Sequence, residues 1–310
     1  MIFLTRYGLP LILTGLVSIF AVVCPTFLTL GNLTSLLVNH FALLALVSLA
    51  MTLVVAAGGL DLSVGTALDL AGFAFIASLA GGLPPALAIL LGLAAALTVG
   101  GVNAVLIAGI RIPPFLATLG TLFIGHSLQQ LATGGGVPIY LIAGPPRPVF
   151  ALLDAARPWL GLAAAVVVAG VLGGSGFGRR LIAGGLAPAV SRYSGLPVRR
   201  DIALVMVGST LLTGLAGIVL AAGGQSYAPL SGNAYLMDAI GATVLGTTFD
   251  RHRRVNVVGT LLGVVLLGTV KNGLLLAGVS FYWQQVVSGL VIFTVLAISF
   301  STSRKEGALA

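Results

Sequence analysis

The run GGLDLSVGTALDLAGFAF, residues 58–75, sets two carboxylates, Asp61 and Asp69, into a stretch that is otherwise apolar or small. Its surroundings decide how it reads. The 310-residue chain is 58% hydrophobic and only 7% charged, with a mean hydropathy of +1.14. An ordinary soluble domain carries about 25% charged residues. So few charges cannot clothe a water-soluble fold, and the solvent must be lipid. The apolar segments are long and share 43 glycines, which suits close-packed helices better than the alternating strands of a barrel. The fold class is an all-α polytopic membrane protein.

Crossing the hydrocarbon core takes about 20 apolar residues. Ten segments are expected to do so, near 8–29, 41–58, 63–80, 86–109, 114–131, 158–173, 202–222, 237–248, 256–275 and 283–300. The eighth is short. An even number places both termini on one face, together with the joints RIPP, GRRLIAGGLAPAVSRYSGLPVRR and DRHRR and the tail SRKEG. That face collects 12 Lys and Arg, the other only Arg147 and Arg157, and Lys271 falls inside the ninth segment. Positive residues mark the cytoplasmic side, so both termini are expected there. The basic residues read as topology signals, and no nucleic-acid surface is expected. Residues 1–310 form one transmembrane domain, with a cytoplasmic loop at about 174–201 and an external loop at about 132–157. The apolar N-terminal run is too long for a signal peptide and lacks an A-x-A-like cleavage site, so it reads as an uncleaved first span. Cys24 stands alone, which excludes an intrachain disulfide.

Two matches share one offset. NAVLIAGI (103–110) pairs with NGLLLAGV (272–279), and Asp69-x-x-Gly72 pairs with Asp238-x-x-Gly241, each 169 residues apart. The paired spans, third with eighth and fourth with ninth, run in opposite directions. An inverted repeat would produce that pattern.

The blocks MTLVVAAGGLDLSVG, NAVLIAGIRIPPFLATLGTLFIG, YLMDAIGATVLGTT and VGTLLGVVLLGTVKNGLLLAGVSFYWQQVVSGLVI follow one another in the order seen in a known family. From about Asn32 to Phe300 the chain resembles the permease subunits of bacterial ribose-type ABC importers, a group that also serves xylose, other monosaccharides and autoinducer-2. The resemblance implies a second permease copy or paralogue, two cytoplasmic ABC ATPase subunits carrying ATP and Mg, and a periplasmic substrate-binding protein. It also implies residence in the bacterial inner membrane. A P-loop needs Gly-Lys-Ser/Thr. Neither lysine of this chain, Lys271 or Lys305, follows a glycine. No cofactor is expected on this chain, and ATP hydrolysis falls to a partner. The chain departs from the family at TTFDRHRRVN, where a Gly-rich turn is usual, at GGLAPAVSRYSGL, where an acid is usual, and at Asp69, where an apolar or small residue is usual.

Asp61, at the joint of the second and third spans, reads as a cap for the helix that follows, with Ser63 as a rival cap. Asp69 lies about 12 Å further along the helix axis. An ionised group there is costly unless it is paired or faces water, so it reads either as a structural partner or as a pathway residue. Lys271 raises the same question, and an Asp69–Lys271 contact would answer both. Asn103 and Asn272, equivalent in the repeat, suit a hydroxyl-rich solute or glue between helices. Thr118 and Thr121 are weaker pathway candidates, because threonine also bonds its own helix. Phe281, Tyr282 and Trp283 fit an interfacial aromatic belt or, for Phe281, stacking on a sugar at the pathway mouth. His126 with Gln129 and Gln130 offers no ligand set for a metal, and none is expected.

By resemblance, a short helix around Ala187–Ser194 docks in a groove of the ATPase, with Ala187, Pro188, Ser191, Arg192, Ser194 and Gly195 as the coupling residues. Pro188 is placed to open that helix and Gly195 to end it. No cluster of acid, base and nucleophile appears, so no catalytic residue is assigned. The expectation is an importer permease moving a small polar solute, a monosaccharide first, by alternating access. The alternative is a proton-coupled secondary transporter using Asp69 and Lys271.

Overall fold

The computed structural model describes residues 2–141, 147–250 and 254–307. Its helices, in chain order, are α1 Ile2–Val23, α2 Leu30–Ser35, α3 Ala42–Ala56, α4 Val64–Ala80, α5 Pro85–Ala104, α6 Pro114–Ala132 and α7 Pro148–Ala169. After these come α8 Gly176–Leu186, α9 Pro188–Tyr193, α10 Val198–Gly224, α11 Gly232–Thr247, α12 Val257–Leu276 and α13 Phe281–Gly307. A π-helical stretch, Leu36–Phe41, joins α2 to α3 in one rod, and similar wide turns extend α5 to Ile110 and α7 to Gly174. The strands β1 (Ile139–Tyr140) and β2 (Ser226–Tyr227) pair antiparallel, with Ile139 opposite Tyr227.

Five rods are long and apolar enough to cross a membrane by length and composition: Leu30–Ala56, Pro85–Ile110, Pro148–Gly174, Val198–Gly224 and Val257–Leu276. Shorter apolar stretches occupy Gly8–Val23, Val64–Ala80 and Tyr282–Ala297. The chain is thus an all-α polytopic membrane protein. Among the boundaries that differ from expectation, three bear on the site. The first helix ends at Val23 rather than near residue 29, because Pro25 disfavours helical geometry in the residue before it. The second rod starts at Leu30 rather than near 41, taking Asn32, Asn39 and His40 into the helix. Residues 148–157, expected in the external loop, are the first turns of α7.

Prolines open α5, α6, α7 and α9 within their first turn, where the missing N–H has no helical partner to lose. In α3 every residue but Val55 is buried, as expected of a helix apolar all round. It lies among α7, α10, α11 and α12, while α10 also packs on α4 and α5. Missing side chains set these crossings. A Cβ added at Gly217 of α10 would enter the backbone of Leu68 on α4, and one at Gly232 would enter that of Gly65. Gly246 and Gly259 form a like seam between α11 and α12. Lipid supplies no hydrophobic drive between helices, so such close approach is how they hold together.

Candidate transport cavity

A cavity of about 480 Å³ opens among α4, α7, α10, the π-helical stretch and the segment leading into α11. Its polar walls include Asn39, Asp69, Asp154, Arg157, Tyr227 and Ser231. Asp69 is 1% exposed. Its Oδ1 accepts from Ser231 Oγ at 2.7 Å and from the Gly232 N–H at 2.8 Å. A carboxylate on α4 therefore caps the first turn of α11, whose leading N–H groups have no partner within their own helix. Among the described residues its second oxygen, Oδ2, accepts no hydrogen bond of normal geometry, and Gln129, whose Nε2 is likewise unbonded, is a neighbouring side-chain donor to the same carboxyl.

Gln129 of α6 holds the same segment one step earlier. Its Oε1 accepts from the Leu230 N–H at 2.9 Å and from the Tyr227 hydroxyl at 3.1 Å. Leu230 takes a left-handed conformation, φ 65°, which costs a residue with a Cβ roughly 1–2 kcal/mol. The bonds from Gln129 and Asp69 on either side of it offset that strain. On the opposite wall Arg157 pairs with Asp154 at 2.7 Å, one helical turn back, and its Nη1 donates to Asn39 Oδ1 at 2.9 Å. Asp69, Arg157 and Asn39 thus meet at one cavity from three helical elements.

The other polar residues singled out from sequence lie elsewhere. Asp61 Oδ1 accepts from the Ser63 N–H at 2.8 Å and from its hydroxyl at 2.6 Å, so it fixes the turn just ahead of α4 but reaches no N–H of the helix itself, and Ser63, the N-cap by position, makes no side-chain cap either. Asn103 Nδ2 donates to Ser63 Oγ at 2.7 Å, and Thr121 donates to Asn103 Oδ1 at 2.7 Å. Thr118 Oγ1 accepts from the Leu62 N–H at 3.1 Å. Together these ties bind the joint of α3 and α4 to α5 and α6. Thr121 also borders a mainly apolar groove between those helices. Asn272 of α12 exchanges two amide bonds of 3.0 Å with Asn32 of α2.

The Asp69–Lys271 contact that the sequence left open does not form. Lys271 bonds Asp238, one helix over on α11, while Asp69 is committed to Ser231 and Gly232. His126 Nε2 lies 2.9 Å from Asn233 Oδ1. Among the described residues no group of three or more His, Cys, Asp or Glu is placed to hold a metal. The side chain of Phe281 lies outside the described residues, as do residues 142–146 of the external loop.

Near the basic loop, Ser175 Oγ accepts from the Gly178 N–H to cap α8, and Arg180 grips Asp201 with bonds of 3.2 and 3.3 Å. Ala187 precedes α9, which Pro188 opens. The chain leaves α9 through Ser194 and a left-handed Gly195, φ 76°. The Leu196 N–H returns to the Ser191 carbonyl at 3.0 Å, a glycine-ended helix stop. Ser191 is buried against the body, Arg192 Nε reaches the Pro188 carbonyl at 3.3 Å, and Val190 and Tyr193 face outward.

The match to one protein family defines the class. Residues 33–296 match the family described as the branched-chain amino acid transport system permease component, and the chain belongs to that family. Among its relatives is the ribose import permease protein RbsC of Bacillus subtilis (strain 168), 35% identical over 91% of this chain and 89% of the relative. RbsC of Escherichia coli (strain K12) is 34% identical over 91% and 90% of the two chains. The autoinducer 2 import system permease protein LsrD of Escherichia coli O9:H4 is 31% identical over 97% and 95%. No solved structure matches the chain. The resemblance read from the sequence blocks is borne out, and the chain is a transport subunit. Sequence reasoning missed Arg157, Asn39 and Gln129. The spacing Asp154-x-x-Arg157 ahead of Pro158 is the signal that was available for one of them, since residues three apart meet on a helix.

Proposed function

We propose that this chain is the permease of an ABC importer for a monosaccharide, passing the sugar inward by alternating access. The observation that carries the reading is the polar cavity inside an apolar bundle, with Asp69 and Arg157 on its walls. Sugar hydroxyls both donate and accept, so they suit a wall of carboxylate, guanidinium, amide and hydroxyl groups. The start of α11 borders this cavity at Ser231, and helix starts within the membrane are common at transporter binding sites. The names of the ribose relatives support the same solute class.

In this reading ten segments span the bacterial inner membrane, both termini are cytoplasmic, and the two halves form an inverted repeat. Cytoplasmic ATPase subunits bind ATP and Mg and bias the inward and outward states. They dock on the basic loop through α9. A periplasmic binding protein delivers the sugar, and a second permease, identical or paralogous, completes the pore.

The test is purification from native membranes followed by reconstitution with the co-purifying subunits. ATP-driven uptake of radiolabelled D-ribose or another monosaccharide is expected, unaffected by a protonophore. Uptake without ATP that a protonophore abolishes would establish the secondary transporter instead. Within the importer, Asp69→Asn is expected to lower uptake about tenfold, the scale of one lost hydrogen bond to a charged group. Asp69→Ala, which also uncaps α11, should lower it further. Wild-type uptake in both would remove Asp69 from the pathway. Changing the outward residues Val190 and Tyr193 of α9 to serine should leave membrane assembly intact while breaking the link between ATP hydrolysis and uptake. Undiminished uptake in that variant would place the ATPase contact elsewhere.

A further inference from the structure

We infer that Arg157 is a solute-binding group of the cavity, donating to an oxygen of a neutral polyhydroxyl solute. The inference rests on the importer reading and extends it from Asp69 to the facing wall. An Asp–Arg pair one helical turn apart ordinarily ties down a solvated helix face. Arg157 departs from that case in three ways. It is buried, 6% exposed, within a rod apolar enough to cross the membrane, where a cation is costly and usually functional. Its guanidinium also lies in a space kept open by Gly223 of α10, where any Cβ would coincide with the Nη2 region. Finally, a guanidinium has five N–H donors, yet among the described residues only Asp154 and Asn39 accept from it, and Nε has no partner there.

The same cavity holds Asp69 with an oxygen that, among the described residues, accepts no hydrogen bond of normal geometry. An unmatched donor and an unmatched acceptor on one cavity suit a ligand that supplies both. Hydroxyl groups do so. The solute class is therefore a neutral sugar or polyol.

The test uses the full importer in proteoliposomes, with D-ribose as the probe sugar, ribose 5-phosphate as the anionic one, and the binding protein at saturation. The readout is sugar delivered per ATP hydrolysed, together with the thermal midpoint of each variant. Arg157→Gln is expected to lower delivery per ATP about tenfold or more, and Arg157→Lys by less. Gly223→Ala, which keeps Arg157 but takes its space, should resemble Arg157→Gln. Arg147→Gln serves as the control: that arginine donates to the Leu79 carbonyl at 2.7 Å outside the cavity walls, and delivery should be unchanged. Removing single hydroxyls from ribose should show one deoxy sugar disfavoured by the wild type but not by Arg157→Gln, a signature that a purely structural arginine would not give. Wild-type delivery per ATP in both Arg157→Gln and Gly223→Ala, or lowered thermal midpoints with delivery ratios intact, would overturn the inference and leave the importer reading standing. Uptake of ribose 5-phosphate in preference to ribose would overturn the solute class. A wild-type importer that accumulates no neutral sugar at all would overturn the importer reading and this inference together.

Discussion

Replacing Gly217 by valine is expected to leave little folded protein in the membrane. An added Cβ meets the backbone of Leu68 on α4, and a main chain cannot swing aside as a side chain does. Overpacking that side chains can absorb costs about 1–3 kcal/mol. Here α4 and α10 must separate, which loosens the cavity wall at Leu68 and Asp69 as well. Gly208 lies on the same helix with nothing within 4 Å of an added Cβ. Gly208→Val should therefore give a normal yield. Detergent extracts compared by size-exclusion chromatography and thermal unfolding would decide the matter: equal yields of the two valine variants would show that the glycine contact does not set the crossing.

Asp238→Ala is expected to destabilise the fold by about 3–5 kcal/mol, the usual cost of stranding one member of a buried ion pair. Lys271 would remain between α11 and α12 with its side chain only 15% exposed. Replacing both, with Asp238→Leu and Lys271→Met, should recover most of the loss, because an apolar pair carries no desolvation penalty. A double-mutant cycle on the thermal midpoint measures the coupling. Additive losses would mean that the two side chains do not act as a pair. Such a pair stabilises specificity more than strength, since it fixes how α11 meets α12 where aliphatic residues would pack in several registers.

The course of the chain was largely legible because apolar length and punctuation agree. Pro85, Pro114, Pro148 and Pro188 each stand where a helix opens. Pro25 aside, the errors have a common origin in polar residues that tertiary structure satisfies. Asn32, Asn39 and His40 look like a boundary, yet Asn272 takes the first and Arg157 the second, so the helix continues through them. Asp69 was legible as a lone acid among apolar residues. Its partners were not, because the segment 225–231 has no period and its place against α4 depends on Gly65 and Gly232 meeting across a long stretch of chain. Arg157 was hidden by its position: beside Pro158 it reads as a loop charge, and only α7 beginning at Pro148 moves it inside. The repeat match placed Asp69 and Asp238 in equivalent positions, but nothing in the sequence says that Lys271 chooses the second.

The reciprocal amide pair of Asn32 and Asn272 has a consequence for an energised membrane. A field across the bilayer acts on charge, at about 2.3 kcal/mol per elementary charge for each 100 mV. Two neutral amides offer that field nothing to pull on. A carboxylate and an ammonium bridging the same gap would be drawn in opposite directions whenever the voltage changed. The tie between α2 and α12 therefore presents no net charge to the membrane potential, unlike the Lys271–Asp238 pair one residue away on α12.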